Sequence, residues 1–233
     1  MLLDHPAARR LHVLLLLCLA VLLSGCWSST PASSGSPGAA GSAVDALQRL
    51  PVASRVATGY RRAAFGDGWL DLDGDGCSTR QEVLRRDLTG VRLSGLCTVD
   101  SGRLADPYTG RVVVFQRGPR TSADVQVDHV VALADAWRTG AAGWSAARRE
   151  RFANDPLELL AVDGEVNQDK GDGDAAQWLP PLPSARCAYV ARQVAVKTAY
   201  GLAVRPSERS AMLRVLGTCP GQRLPSARSS AVR

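Results

Sequence analysis

The residue best suited to proton transfer at neutral pH in this chain is His129. Of the 3 histidines, His5 and His12 fall in an apolar leader-like stretch, which leaves His129 alone in the remainder. An imidazole titrates near neutrality and can take a proton from water there, whereas one histidine cannot build a multi-histidine zinc site. Asp128 precedes it, and Asn167 and Lys170, three residues apart, would share one face of a helix. Adjacent residues on a strand face opposite ways, so Asp128 and His129 can serve one ligand only at a twisted strand end. A second acidic group is the run from Asp71 to Glu82, with carboxylates at Asp71, Asp73 and Asp75, glycine at Gly76 and glutamate at Glu82. That is the oxygen spacing of a calcium loop. Gly66 and Gly68 stand where an entering helix would lie, and Ser78 replaces the apolar residue of a full EF-hand. The run is therefore either a structural calcium site or an acidic turn into a helix over 79–88, capped by Ser78 or Thr79. Arg148, Arg149 and Arg151 form a basic cluster that either grips phosphates or is a solvated face.

The elements that must position these groups follow from periodicity and turn chemistry. Residues 43–59 are amphipathic and broken at Pro51. A turn at 106–110 leads to a strand over 111–116, and Arg117-Gly118-Pro119 turns into a second strand over 125–131. These two strands are expected to pair antiparallel, with Asp128 and His129 near the end of the second. Helices are expected over 133–139 and 145–152, separated by two glycines, and over 185–200 and 207–216 after a stiff proline crossing. Trp137 and Trp144 read as packing residues, and Lys197 either snorkels or reaches a phosphate.

The chain has 233 residues, 45% of them hydrophobic, with net charge +6. That composition excludes a multi-span membrane protein and a coiled coil, and its basicity suits a polyanion or an anionic surface. Arg9 and Arg10 precede an apolar run over 11–23, too short to span a bilayer and suited to a signal peptide. Leu23-Ser24-Gly25-Cys26 resembles a bacterial lipobox, which implies a leader over 1–25 and a lipidated Cys26. Residues 26–43 read as a Ser/Gly/Pro-rich tether, 44–220 as one domain and 221–233 as a flexible tail. Of the 6 cysteines, Cys77, Cys97, Cys187 and Cys219 remain for two disulfides in an exported chain. Three pairings are possible; Cys77–Cys97 and Cys187–Cys219 each close a short loop. A four-cysteine zinc site is the rival, against wide spacings and no C-x-x-C.

The string Val127-Asp128-His129-Val130-Val131-x-Leu133 with Ala136-Trp137, then Leu159-Leu160 and Asn167-x-x-Lys170-Gly171-Asp172, resembles the HNH (ββα-metal) nucleases. It is most similar to HNH-type exported actinobacterial proteins and to the C-terminal domain of GmrSD-type restriction enzymes. The resemblance covers roughly 106–174 and extends to about 69–219. It implies an α+β fold with a ββα-metal (HNH, His-Me finger) core, flanking helices and disulfide staples. It further implies His129 as general base and Asp128 and Asn167 as ligands of one Mg²⁺ or Mn²⁺ ion. Lys170 would then meet a phosphate, beside Arg148 and Arg149. The family's middle asparagine falls on Glu158, with Asn154 four residues earlier, so one of the two must take its loop-fixing role. Phosphodiester hydrolysis needs a nucleophile made from water and neutralised phosphoryl oxygens, which an imidazole and a hard cation supply.

The implied function is cleavage of nucleic acid, DNA before RNA, by a monomer held at the outer face of the cell membrane through its lipid alone. Two alternatives are a catalytically silent binding lipoprotein of the same fold and a calcium-dependent surface module built on 71–82. A Ser-His-Asp order, H-E-x-x-H and a Gly-rich nucleotide loop are all missing from the sequence.

Overall fold

The computed structural model describes residues 41–225. The expected leader, Cys26, most of the tether and the last residues of the tail lie outside them. The elements in chain order are α1 (Ala43–Arg49), α2 (Thr79–Asp87), β1 (Leu88–Ser94), β2 (Thr98–Ala105), β3 (Val112–Gln116), β4 (Val125–His129), α3 (Leu133–Thr139), α4 (Ala146–Ala153), β5 (Leu159–Asp163), α5 (Gly164–Lys170), α6 (Arg186–Tyr200) and α7 (Pro206–Gly217). The fold is α+β, and among the described residues no helix is long and apolar enough to cross a membrane.

The strands form two antiparallel sheets, β1-β2-β3 and β4-β5. The expected pairing of the strand over 111–116 with that over 125–131 is corrected: β3 joins β2, and β4 takes β5 as partner, with His129 opposite Leu159. Burial explains the choice. Val125, Val127, Leu159 and Ala161 pack into one apolar cluster with α2 and the larger sheet, whereas Val162 packs on the other side into a cluster with α1, α6 and α7. A strand covered on both faces needs a partner that is also covered on both faces, and β5 is one. The disulfides are Cys77–Cys97 and Cys187–Cys219. The first joins the loop before α2 to the β1–β2 turn; the second ties the start of α6 to the segment after α7. The expectation of a free tail is corrected for residues 221–225: Ala43 N–H donates to Gln222 O at 2.8 Å, and Ser42 bridges Arg223.

A buried charge network joins α3, α6 and α7. Lys197, fully buried rather than snorkelling, sits 2.7 Å from Asp135 and 2.9 Å from Glu208. Arg205, just before α7, reaches Asp174 at 2.5 Å and Asp135 at 3.7 Å. Glu208 also accepts from Arg205 N–H at 3.0 Å, capping α7. Three carboxylates thus face two cations. Burial, with Lys197 opposing and Asp135 reinforcing, pushes the Glu208 carboxyl up to about 7. Between its ordinary value of 4.5 and about 7, the folded protein holds a proton that the unfolded chain has released. Stability therefore falls as pH rises through that window. Thermal unfolding of the wild type and Glu208→Gln from pH 5 to 8 should show the wild-type Tm falling relative to the variant. Parallel curves would contradict this assignment.

Candidate active site

His129 closes β4, and its Nε2 lies 2.9 Å from Ala153 O at the end of α4. A carbonyl only accepts, so Nε2 carries the proton and Nδ1 keeps its lone pair. The indole of Trp69 stacks on the imidazole at 5.8 Å between centroids and 6° between planes. Burial pulls the His129 pKa down to about 4, against smaller opposing effects of Ala153 O and Asp128. The ring is therefore neutral at physiological pH, with a fixed tautomer.

Asp128 immediately precedes His129 on β4. Its carboxylate is buried, 2.8 Å from Lys170 Nζ, and accepts from Tyr108 Oη at 2.6 Å. Lys170 donates also to His129 O at 2.8 Å, so one ammonium ties the end of α5 to both residues of the strand end. Helix α5 owes its position to its start. Asp163 caps it by accepting from Glu165 and Val166 N–H. A Cβ on Gly164 would lie 2.0 Å from Ala123 O, so only glycine allows α5 to begin this close to the entry of β4. Asn167 then projects toward β4, where its Nδ2 donates to Gln126 Oε1 at 2.9 Å.

Between these elements lies a cleft of about 330 Å³ whose lining includes Arg62, Asp128, His129, Asn167 and Asp172. Four of the sequence-predicted residues, Asp128, His129, Asn167 and Lys170, meet here; the others do not line it. Lys170 was expected to meet a phosphate, and this is corrected, because its ammonium is buried against Asp128 and the His129 carbonyl. The expectation for the basic helix is corrected too. Arg149 donates to the carbonyls of Ala64, Ala141 and Trp144 and lies over Trp137. Arg148 donates to Tyr200 O and lies over Trp144.

The loop-fixing task is shared by two residues. Glu158 is fully buried, and both its oxygens lie 3.2 Å from the N–H of Val131, in the turn that follows His129. Asn154, also buried, accepts from Leu70 N–H at 2.8 Å and donates to Glu150 O, which holds the Trp69 segment beside the ring. Neither touches the cleft. Trp69 and Arg62 were not foreseen as site residues; the scarcity of tryptophan was the one sequence cue to the former. In the acidic loop, the carboxylates of Asp71, Asp73 and Asp75 lie within 4.8 Å of one another on the surface. Burial and these three charges raise the Glu82 pKa. The loop's backbone N–H groups at Gly74, Asp75, Gly76 and Cys77 donate to the aspartates.

Residues 78–215 match the family described as GmrSD restriction endonucleases, C-terminal domain. The chain belongs to that family. It is also 42% identical, over 163 residues, to an uncharacterized secreted protein of Arthroderma benhamiae, a match covering 69% of this chain and 76% of the relative. No solved structure matches the chain.

Burial raises the Glu158 pKa well above its ordinary value, against the Val131 N–H bond and Lys170. Glu158→Gln keeps an acceptor oxygen for the Val131 N–H and should unfold within about 1 kcal/mol of wild type in urea. Glu158→Ala leaves the buried Val131 N–H unpaired and should cost about 1–3 kcal/mol more. Equal stability of the two variants would remove Glu158 from the loop-fixing role.

Proposed function

We propose that the protein is an exported, metal-dependent HNH-type endonuclease that hydrolyses phosphodiester bonds of nucleic acid, DNA before RNA. In this reading β4, β5 and α5 are the ββα-metal unit, and His129 Nδ1 takes the proton from the attacking water. The observation that carries it is the setting of His129: Nε2 fixed on Ala153 O, the ring stacked on Trp69, and a cleft beside it. Such a base is already in its working form at neutral pH and loses no energy to reorientation.

The donor set suits Mg²⁺ or Mn²⁺, which take one or two carboxylates and keep several waters. Asp128 and Asn167 both line the cleft, and a carboxylate has about four acceptor positions, of which Lys170 and Tyr108 take two. Asn167 donates through Nδ2, which leaves Oδ1 to hold a cation. A bound cation would polarise the phosphate and stabilise the leaving oxygen. The protein's own part is to hold the imidazole, fix the turn after it through Glu158 and carry Asn167 on α5. Calcium at Asp71, Asp73 and Asp75 is proposed as a structural ion only. Export rests on the secreted description of the Arthroderma relative and the leader-like N-terminus; the lipid at Cys26 is the proposed anchor.

The ammonium beside Asp128 favours the second reading, a binding protein of the same fold without catalysis, and one experiment separates the two. Supercoiled plasmid should be nicked by the wild type with Mg²⁺ or Mn²⁺ and left intact with EDTA. His129→Ala should lower the rate by about 10²–10⁴-fold, the usual contribution of a general base. A folded protein that leaves plasmid and single strands uncut with either metal would select the silent reading.

A further inference from the structure

Charge pairing in the cleft leaves one group without a counterpart. Asp128 is neutralised by Lys170, and Asp172 is paired with Arg138. His129 is neutral. Among the described residues, the remaining charge in the lining is Arg62, on the short helical turn Arg62–Phe65, and it has no carboxylate partner. Its Nη1 donates to Gly66 O at 2.8 Å, which holds the side chain in one orientation and leaves other donors of its fork unspent.

The segment that carries Arg62 is anchored rather than loose. Phe65, fully buried, packs against Phe152 and Trp137. Trp137 Nε1 donates to Thr58 O at 2.8 Å, and Arg149 holds Ala64 O at 2.8 Å. At the other end Trp69 lies on His129. From this segment Tyr60 and Arg62 line the cleft, and both precede residue 78, where the family match begins.

We infer that Arg62 is the anion-binding group of this site, receiving the non-bridging oxygens of the scissile phosphate opposite His129. The inference rests on the nuclease reading for the identity of its ligand, though not for the presence of the anion site. A planar guanidinium binds phosphate through two parallel hydrogen bonds. Sharing the cleft with His129, it would hold the phosphate beside the base. It takes over the role the sequence suggested for Lys170, Arg148 and Arg149.

Two measurements on the full chain test this separately from the nuclease reading. In ¹⁵N-histidine spectra, with the His129 signal identified by its loss in His129→Gln, inorganic phosphate should shift that signal in the wild type. The apparent Kd should rise about tenfold in Arg62→Gln, the loss of one charge-assisted contact, and less in Arg62→Lys, which keeps the charge. Equal phosphate affinity in wild type and Arg62→Gln, or no phosphate effect on His129, would overturn the inference whatever the plasmid result. With an oligonucleotide in EDTA, Arg62→Gln should flatten the dependence of log Kd on log salt by about one unit; an unchanged slope would also overturn it. Arg62-dependent phosphate binding in a protein that cuts no nucleic acid would leave the anion site standing and defeat the nuclease reading alone.

Discussion

The buried pair of Asp128 and Lys170 is the constraint on which the rest of the site depends. Removing two charges from water costs several kcal/mol for each ion, and the pair is tolerable only because its geometry is complete. Tyr108 and the His129 carbonyl occupy further positions on the two partners. By holding the Asp128 carboxylate and the His129 carbonyl on one ammonium, the pair fixes the strand end that carries the imidazole. By committing Lys170, it fixes the last turn of α5 and so the place of Asn167. Breaking either partner would strand a charge in the cluster around Tyr108, Trp178 and Tyr189, whose rings meet edge to face. The same ammonium also competes with any cation at Asp128.

Around His129 the supports come from separated parts of the chain. Ala153 O fixes the tautomer, Glu158 fixes the following turn, and Asn154 binds the backbone at Leu70 so that Trp69 covers the ring. Gln193 on α6 adds a bond to Val130 O at 3.0 Å. Each is a polar group fully or nearly buried and paired, so displacement of one costs the hydrogen bond of another. The histidine is thus held by packing rather than by a loop free to move.

Much of this was legible in the sequence, and the gaps have physical reasons. The helices α3, α4 and α6 were bounded by Gly140, Ser145, Asn154 and Gly201, which end or cap helices for local reasons. Of the three possible cysteine pairings, the one that closes two short loops is the one formed. The hairpin β1–β2 was not visible, because Asp100, Ser101 and Arg103 break the alternation of β2 and the ladder is irregular between Thr89 and Leu93. The pairing of β4 with β5 depends on two-sided burial, which periodicity does not encode. At the site, spacing placed Asn167 and Lys170 on one helix but not what each would face. Lys170 turned inward and Arg62 took the exposed position, a distinction set by tertiary packing alone.

The central claim is that the cleft beside His129 is where a catalytic cation and a nucleic-acid phosphate meet. Anomalous diffraction from crystals soaked in Mn²⁺ tests it directly. The account predicts a peak in the cleft within coordination distance of Asp128 and Asn167, whether or not a further ion sits at Asp71, Asp73 and Asp75. Manganese bound only at the acidic loop, with an empty cleft in a protein that still cleaves nucleic acid, would contradict it.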